Sequence, residues 1–176
     1  MVTVNVDQYS SVLLVGFMAS GKSTVGEELA SLLGWQFVDM DSAVERRYGA
    51  DIAQLFKEKG ESYFRRCESE VALELLPIKG TVLASGGGWA VSDENWGMVP
   101  EDTLTIWLKV TPGVALARAK NSSSVRPLIN DIEQMEEFSI LLKSRREWYA
   151  RAKYIVDSEM GEPTEVAQNI LCLMGA

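Results

Sequence analysis

Histidine is missing altogether from this chain of 176 residues. That removes histidine bases, Ser-His triads and histidine metal ligands, so any general base must be a carboxylate, a lysine, a cysteine, a tyrosine or water. Cysteine is scarce: Cys67 and Cys172 lie far apart, with no second CxxC partner. Neither a zinc site nor a disulfide framework is suggested, and a lone cysteine in a helical pattern is expected as a small core residue. No apolar run approaches the roughly 20 residues that span a bilayer. Basic residues are outnumbered 17 to 25, for a net charge of −8. Nucleic acid, which needs a basic face, is therefore not an expected partner. A local basic cleft could still focus potential on a small anion. The start, MVTVNVDQYSSVLLVG, has no basic n-region and no transit-like Arg/Ser bias, so a cytoplasmic protein without a membrane partner is expected.

What is present reads as one domain over residues 1–176. Val12-Leu-Leu-Val15 is a short continuous apolar run, the pattern of a strand buried on both faces. A turn over Gly16–Gly21 leads into a helix with Val25, Leu29, Leu32 and Leu33 on one face and Gly34 as its stop. Further strands are expected over Trp35–Val38, Thr81–Ala84, Leu104–Leu108 and Tyr154–Val156. Helices are expected over 42–48, 51–59, 61–76, from Pro112 (behind a Thr111 cap) to about Ala119, over 132–152 and over 162–174, with a polar loop at Asn121–Val125. Strands alternating with helices indicate an α/β domain with a parallel sheet.

Gly16-Phe-Met-Ala-Ser-Gly21-Lys22-Ser23 fits GxxxxGK[ST], with a buried strand before it and an amphipathic helix after it. Glycines let the backbone curl so that N–H groups point at phosphate oxygens, and the helix N-terminus adds partial positive charge. Lys22 reaches the β and γ phosphates of ATP, and Ser23 offers a hydroxyl to Mg²⁺. Asp39 and Asp41 end the next strand two residues apart. On an extended segment they would share a face at the carboxyl edge of the sheet. One could serve the metal and the other receive an acceptor's proton, or the pair could be a solvated turn in which Asp41 caps the next helix. Arg65 and Glu68 are i, i+3 neighbours on a helix, either a surface ion pair or a bidentate grip held ready for a carboxylate. Gly86-Gly87-Gly88 removes side chains where a ligand would approach the backbone, or is a flexible connection. Arg126, after the polar loop, is either a solvated charge or a residue that closes over ATP.

Taken in order, GFMASGKST, FVDMD, GESYFRRCE, ASGGG, VRPLI and SRREWY resemble the motifs of the shikimate kinase family, at comparable spacing over nearly the whole chain. The P-loop is shared with many enzymes. The combination of DxD, FR..E, GGG and RPL is far more specific. The resemblance implies a P-loop NTPase-type three-layer sandwich, a five-stranded parallel sheet flanked by helices, with a mobile lid at about 119–130 and acceptor-binding helices at about 41–76. It implies transfer of phosphate from MgATP to the 3-hydroxyl of shikimate by a monomer. By the same resemblance Met18, Ala19, Ser20, Gly21, Lys22, Ser23 and Thr24 hold the ATP phosphates, while Ser23 and Asp39 serve Mg²⁺. Asp41 binds the acceptor hydroxyls and is the candidate base, Arg65 grips the shikimate carboxylate, and Glu68 orients groups nearby. Gly86, Gly87 and Gly88 approach shikimate, and Arg126 comes down with the lid onto the γ-phosphate. Arg118 stands on the adenine side. Arg145, with Tyr149 four residues on, makes the second carboxylate contact, with Arg146 in reserve. The chain departs from the family at Ala19, where glycine is frequent, and at Trp89, where a small residue is usual. A sister kinase acting on gluconate or a nucleotide, or a non-catalytic homologue, are the alternatives. The last would predict decay of Lys22, Asp39, Asp41 or Arg126, and all four are present.

Overall fold

Strand β1 (Ser11–Val15) is buried along its whole length, and its side chains divide between two apolar clusters. Leu13 and Val15 join Met40, Leu83, Trp89, Phe138 and Tyr149. Val12 and Leu14 join Val25, Leu29, Ile106 and Ile170. The period-2 alternation of a strand thus puts one cluster on each face of the sheet, and explains why this strand carries an unbroken apolar run. This computed structural model describes residues 8–121 and 135–175. Around β1 stand β2 (Gln36–Asp39), β3 (Thr81–Ala84), β4 (Thr103–Lys109) and β5 (Tyr154–Asp157). They form a five-stranded sheet in the order β2-β3-β1-β4-β5, and every pairing is parallel. All strands therefore end at the same edge.

The intervening helices supply the outer layers. Helices α1 (Lys22–Leu33) and α8 (Pro163–Gly175) pack together and cover one face, through Val25, Leu29, Val166 and Ile170. The other face is covered by α4 (Glu61–Leu75), α6 (Pro112–Asn121) and α7 (Met135–Tyr149), through Ala72, Ala115 and Phe138. Helices α2 (Met40–Tyr48) and α3 (Ile52–Lys59) pack on α4 around a third cluster made of Val44, Leu55, Phe64, Cys67 and Val71. No described helix is long and apolar enough to cross a membrane.

The structure departs from sequence expectation at several places. The second strand runs one residue later, and the chain turns helical at Met40. Asp39 and Asp41 therefore do not share an extended segment. Asp39 is the N-cap of α2, accepting from the Ser42 N–H at 3.1 Å, while Asp41 lies in its first turn. An N-cap carboxylate satisfies a backbone donor that the helix leaves open, and this ends the strand. A short helix, α5 (Asp93–Gly97), was not anticipated, because five residues are too few to show a helical period. Of the two cysteines, Cys67 is buried as expected but Cys172 is exposed. The polar loop and most of the expected lid, residues 122–130, lie outside the described residues, and Ala119–Asn121 complete α6.

Candidate active site

The loop between β1 and α1 curls through left-handed backbone at Gly21 (φ 91°) and at Ala19 (φ 57°). Alanine adopts that conformation at a cost of about 1–2 kcal/mol, which is why glycine suits the position. Lys22 is buried at the start of α1, and its Nζ donates to the carbonyls of Gly16 (2.9 Å) and Phe17 (2.8 Å). Ser23 Oγ donates to Asp39 Oδ2 at 2.6 Å, joining the first turn of α1 to the end of β2. A cavity of about 370 Å³ opens over the loop, lined by Ala19, Gly21, Lys22, Ser23 and Thr24, by Asp39 and Asp41, and by Ser85, Arg118 and Ala119. Arg118 is anchored there by donating to Ser158 Oγ (3.2 Å) and to the Ser158 carbonyl (3.0 Å).

A second cavity, of about 90 Å³, lies between the loop and helices α2–α4. Its polar wall is Asp41, Arg65, Glu68 and Arg145, its backbone wall is Gly87 and Gly88, and its apolar wall is Met18, Ile52, Phe56 and Phe64. Asp41 lines both cavities. Arg65 is clamped by two carboxylates: its Nη1 donates to Glu68 Oε2 at 2.6 Å, and its Nη2 to Glu61 Oε1 at 3.0 Å. Burial pulls the Arg65 guanidinium down, but the Glu68 charge and the bonds to Glu68 and Glu61 outweigh it, and the net shift is upward. Burial pushes the Glu68 carboxyl up to about 7, helped by the neighbouring Asp41 charge and opposed by Arg65 and Arg145. A cationic guanidinium thus faces a carboxyl whose pKa burial raises.

Two of the three glycines after β3 allow close approach. A Cβ on Gly86 would collide with Glu68 Oε1 and Asp41 Oδ1, and one on Gly88 would collide with the Arg65 guanidinium. The Gly87 carbonyl accepts from Tyr149 Oη and from Arg145 Nη1 (3.3 Å), so α7 holds this turn from the other side. Burial pushes the Tyr149 phenol up to about 12 against the pull of Arg145, which keeps it a donor.

The sequence-predicted residues fall into two groups. Ala19, Gly21, Lys22, Ser23, Thr24, Asp39 and Arg118 gather at the larger cavity. Arg65, Glu68, Gly87, Gly88 and Arg145 gather at the smaller. Met18, expected with the phosphate loop, lines the smaller cavity. Ser20 is fully buried, and its Oγ has no partner among the described residues. Arg145 is buried at the cavity while Arg146 is exposed, so the register is the one in which Arg145 and Tyr149 share a helix face. Trp89 points away from the smaller cavity into the core beneath it, 0% exposed, 6.4 Å from Trp96. Its bulk does not narrow the site. Arg126 lies outside the described residues. Sequence reasoning passed over Ile52, Phe56 and Phe64, since an apolar residue on a helix carries no sign of whether it lines a core or a cavity. It also passed over Glu61, which the i, i+4 spacing to Arg65 could have flagged.

A left-handed loop between a buried parallel strand and a helix opened by Lys22 and Ser23 defines the P-loop class of phosphate-handling proteins. The family model described as shikimate kinase matches residues 18–174, and the chain belongs to the shikimate kinase family. It is 38% identical over 160 residues to a shikimate kinase of Moorella thermoacetica, covering 91% of each chain. With that of Thermodesulfovibrio yellowstonii it shares 35% over 161 residues, 92% of each. It matches the structure of shikimate kinase from Acinetobacter baumannii in complex with shikimate at a TM-score of 0.86 and 36% identity, over 94% of this chain and 92% of that one. A gluconokinase from Sinorhizobium meliloti, at a TM-score of 0.59 and 17% identity, over 96% and 94% of the two chains, shares the fold alone.

Proposed function

We propose that the chain transfers the γ-phosphoryl group of ATP to the 3-hydroxyl of shikimate. The observation that supports this is the position of Asp41, on the common wall of the cavity over the P-loop and the cavity lined by Arg65 and Arg145. Lys22 and the loop from Met18 to Thr24 hold the phosphates, with Arg118 on the adenine side and Arg126 closing over the γ-phosphate. Arg65 and Arg145 take the acceptor carboxylate, Glu68 and the glycine turn orient the ring, and Asp41 binds the hydroxyl. The hydroxyl oxygen bonds to the γ-phosphorus as the bond to the leaving ADP oxygen breaks, and the hydroxyl proton passes to Asp41. Ser23 and Asp39, hard oxygen donors side by side at the phosphate cavity, fit Mg²⁺, with Asp39 acting through water. When bound, that ion offsets charge on the β and γ oxygens. With both proposed substrate sites built from one chain, a monomer suffices for the reaction, and we read the enzyme as cytoplasmic.

The test is an ADP-release assay with MgATP across shikimate, quinate, gluconate and nucleoside monophosphates. Shikimate should be strongly preferred. Preference for gluconate or a nucleotide would replace the acceptor assignment, and no transfer to any of them would leave a non-catalytic homologue.

Two substitutions probe the acceptor side. Arg65→Ala should weaken acceptor binding at least about tenfold, since truncating one partner of a desolvated charge pair costs on the order of 2–5 kcal/mol. ATP affinity should change much less, and an equal fall in both would mark Arg65 as a structural or phosphate residue. Gly88→Ala should have a similar selective effect without removing any charge, because the added methyl must displace the guanidinium. Steady-state KM values for shikimate and ATP separate the two cases, and an unmoved shikimate KM in Gly88→Ala would show that Arg65 tolerates the displacement.

A further inference from the structure

Asn95 is buried on the short helix α5, although nothing in the site described above uses it. Its carboxamide is engaged at both ends. Nδ2 donates to the Trp89 carbonyl at 2.6 Å, and Oδ1 accepts from Ser69 Oγ at 2.8 Å. The orientation of the amide is fixed by chemistry, because a carbonyl can only accept. Neither partner lines the smaller cavity, but each sits on a segment that does, and Ser69 and Asn95 line an adjoining cavity of about 670 Å³ together with Arg65, Gly88 and Arg145. Ser69 lies on α4 one turn after Arg65, and the Arg65 carbonyl, 3.1 Å from Ser69 Oγ, shares the single hydroxyl proton with Asn95. Trp89 closes the glycine turn, its N–H donating to the Gly86 carbonyl at 3.1 Å. Helix α5 is itself pinned by Ser92, which caps it at the Asn95 N–H. Next to Asn95, Trp96 Nε1 donates to the Ala90 carbonyl at 2.8 Å, a bond that grips the same segment without reaching α4.

We infer that Asn95 is a positioning residue for the acceptor: it sets the separation between the α4 turn that carries Arg65 and Glu68 and the glycine turn that faces them. This rests on the acceptor assignment proposed above. Separation matters here because Gly88 lies against the Arg65 guanidinium with no room for a methyl group, so a small shift of either wall alters the width of the cavity and the aim of Arg65. No other side chain of this size performs both tasks. Aspartate has no donor for the Trp89 carbonyl, leucine has neither donor nor acceptor, and serine is too short to span the gap. Arg65 and Gly88, the lining residues next to this link, belong to the smaller cavity and not to the phosphate-side cavity, so the link is expected to act on the acceptor side.

The experiment is steady-state kinetics on Asn95→Ala, Ser69→Ala, Ser69→Thr and Trp96→Phe, varying shikimate and ATP separately, with a thermal melt of each. Asn95→Ala should raise the shikimate KM roughly tenfold, within the range that misplacement of binding groups produces, and leave the ATP KM within about twofold. Ser69→Ala should act in the same direction and Ser69→Thr, which keeps the hydroxyl, should restore the wild-type value. Trp96→Phe should lower the melting temperature without moving the shikimate KM. If Asn95→Ala does not fold, the Ser69 pair decides. Equal changes in both KM values, or a lowered melt with both KM values unmoved, would reduce Asn95 to a core amide. Wild-type protein that does not phosphorylate shikimate at all would overturn the acceptor assignment and this inference with it. Wild-type turnover with unmoved variants would overturn the inference alone.

Discussion

Lys22→Ala should cut phosphoryl transfer by at least about 10²–10³-fold, the scale on which a preorganised charge acts on developing negative charge. Lys22 is the lysine that the motif and the start of α1 bring to the phosphate-side cavity. Its Nζ now donates to the Gly16 and Phe17 carbonyls at 2.9 and 2.8 Å. Those bonds hold the charge over the loop, and alanine would remove one donor from each carbonyl, the Phe17 carbonyl keeping the Ser20 N–H at 3.2 Å. A net hydrogen bond contributes about 1 kcal/mol, so the melt should fall by a few degrees while the protein stays folded. Turnover and the circular dichroism melt, measured together, separate lost chemistry from lost fold. Near-normal turnover in a folded variant would remove the P-loop assignment altogether.

Asp41→Asn should lower turnover by roughly 10²–10⁴-fold, the usual range for a general acid–base group, with the Mg²⁺ requirement close to wild type. Asp39→Asn should instead raise the Mg²⁺ concentration needed for activity. The two residues are separated by one position but do different work in the fold. Asp39 accepts from Ser23 Oγ through one oxygen and caps α2 through the other. Asparagine keeps an acceptor for one of these bonds, so Asp39→Asn should fold. Asp41 stands in the first turn of α2 on the wall common to both cavities. Phosphoryl transfer is largely dissociative, so orientation of the hydroxyl by Asp41 counts beside its basicity. A magnesium titration of both variants at saturating ATP and shikimate distinguishes them. Rescue of Asp41→Asn by high Mg²⁺, with Asp39→Asn left inactive, would reverse the two roles.

The phosphate loop was legible from sequence because its physics is local: a strand, a turn and a helix within about twenty residues, each with its own signal. Sheet composition was legible for a similar reason, since apolar runs alternated with helical periods. What could not be read depended on the direction of single side chains. Asp39 and Asp41 looked alike two residues apart, and only the start of α2 at Met40 turns one into a cap. The spacing of Asp39 to Ser42 fits such a cap, but the spacing from Asp41 into the helix fits equally well. Trp89 could have filled the acceptor cavity or the core beneath it, and which it does depends on the path of the glycine turn. Asn95 gave no signal beyond the cap spacing Ser92-Asp-Glu-Asn95, because its importance comes from a partner on a distant helix.

The apolar cluster beneath α2, α3 and α4 has a consequence for how such a protein changes over generations. Val44, Leu55, Phe64, Cys67 and Val71 pack chiefly on one another, and partly buried Leu75 is where they meet the cluster on the sheet. Helices α2–α4, where the acceptor is proposed to bind, therefore have an interior of their own. Substitutions there can accumulate and compensate locally while the phosphate loop, seated on the sheet, keeps its shape. On the proposed acceptor assignment, a chimera exchanging residues 41–76 as a block should be tolerated better than one that divides them, with nucleotide handling kept.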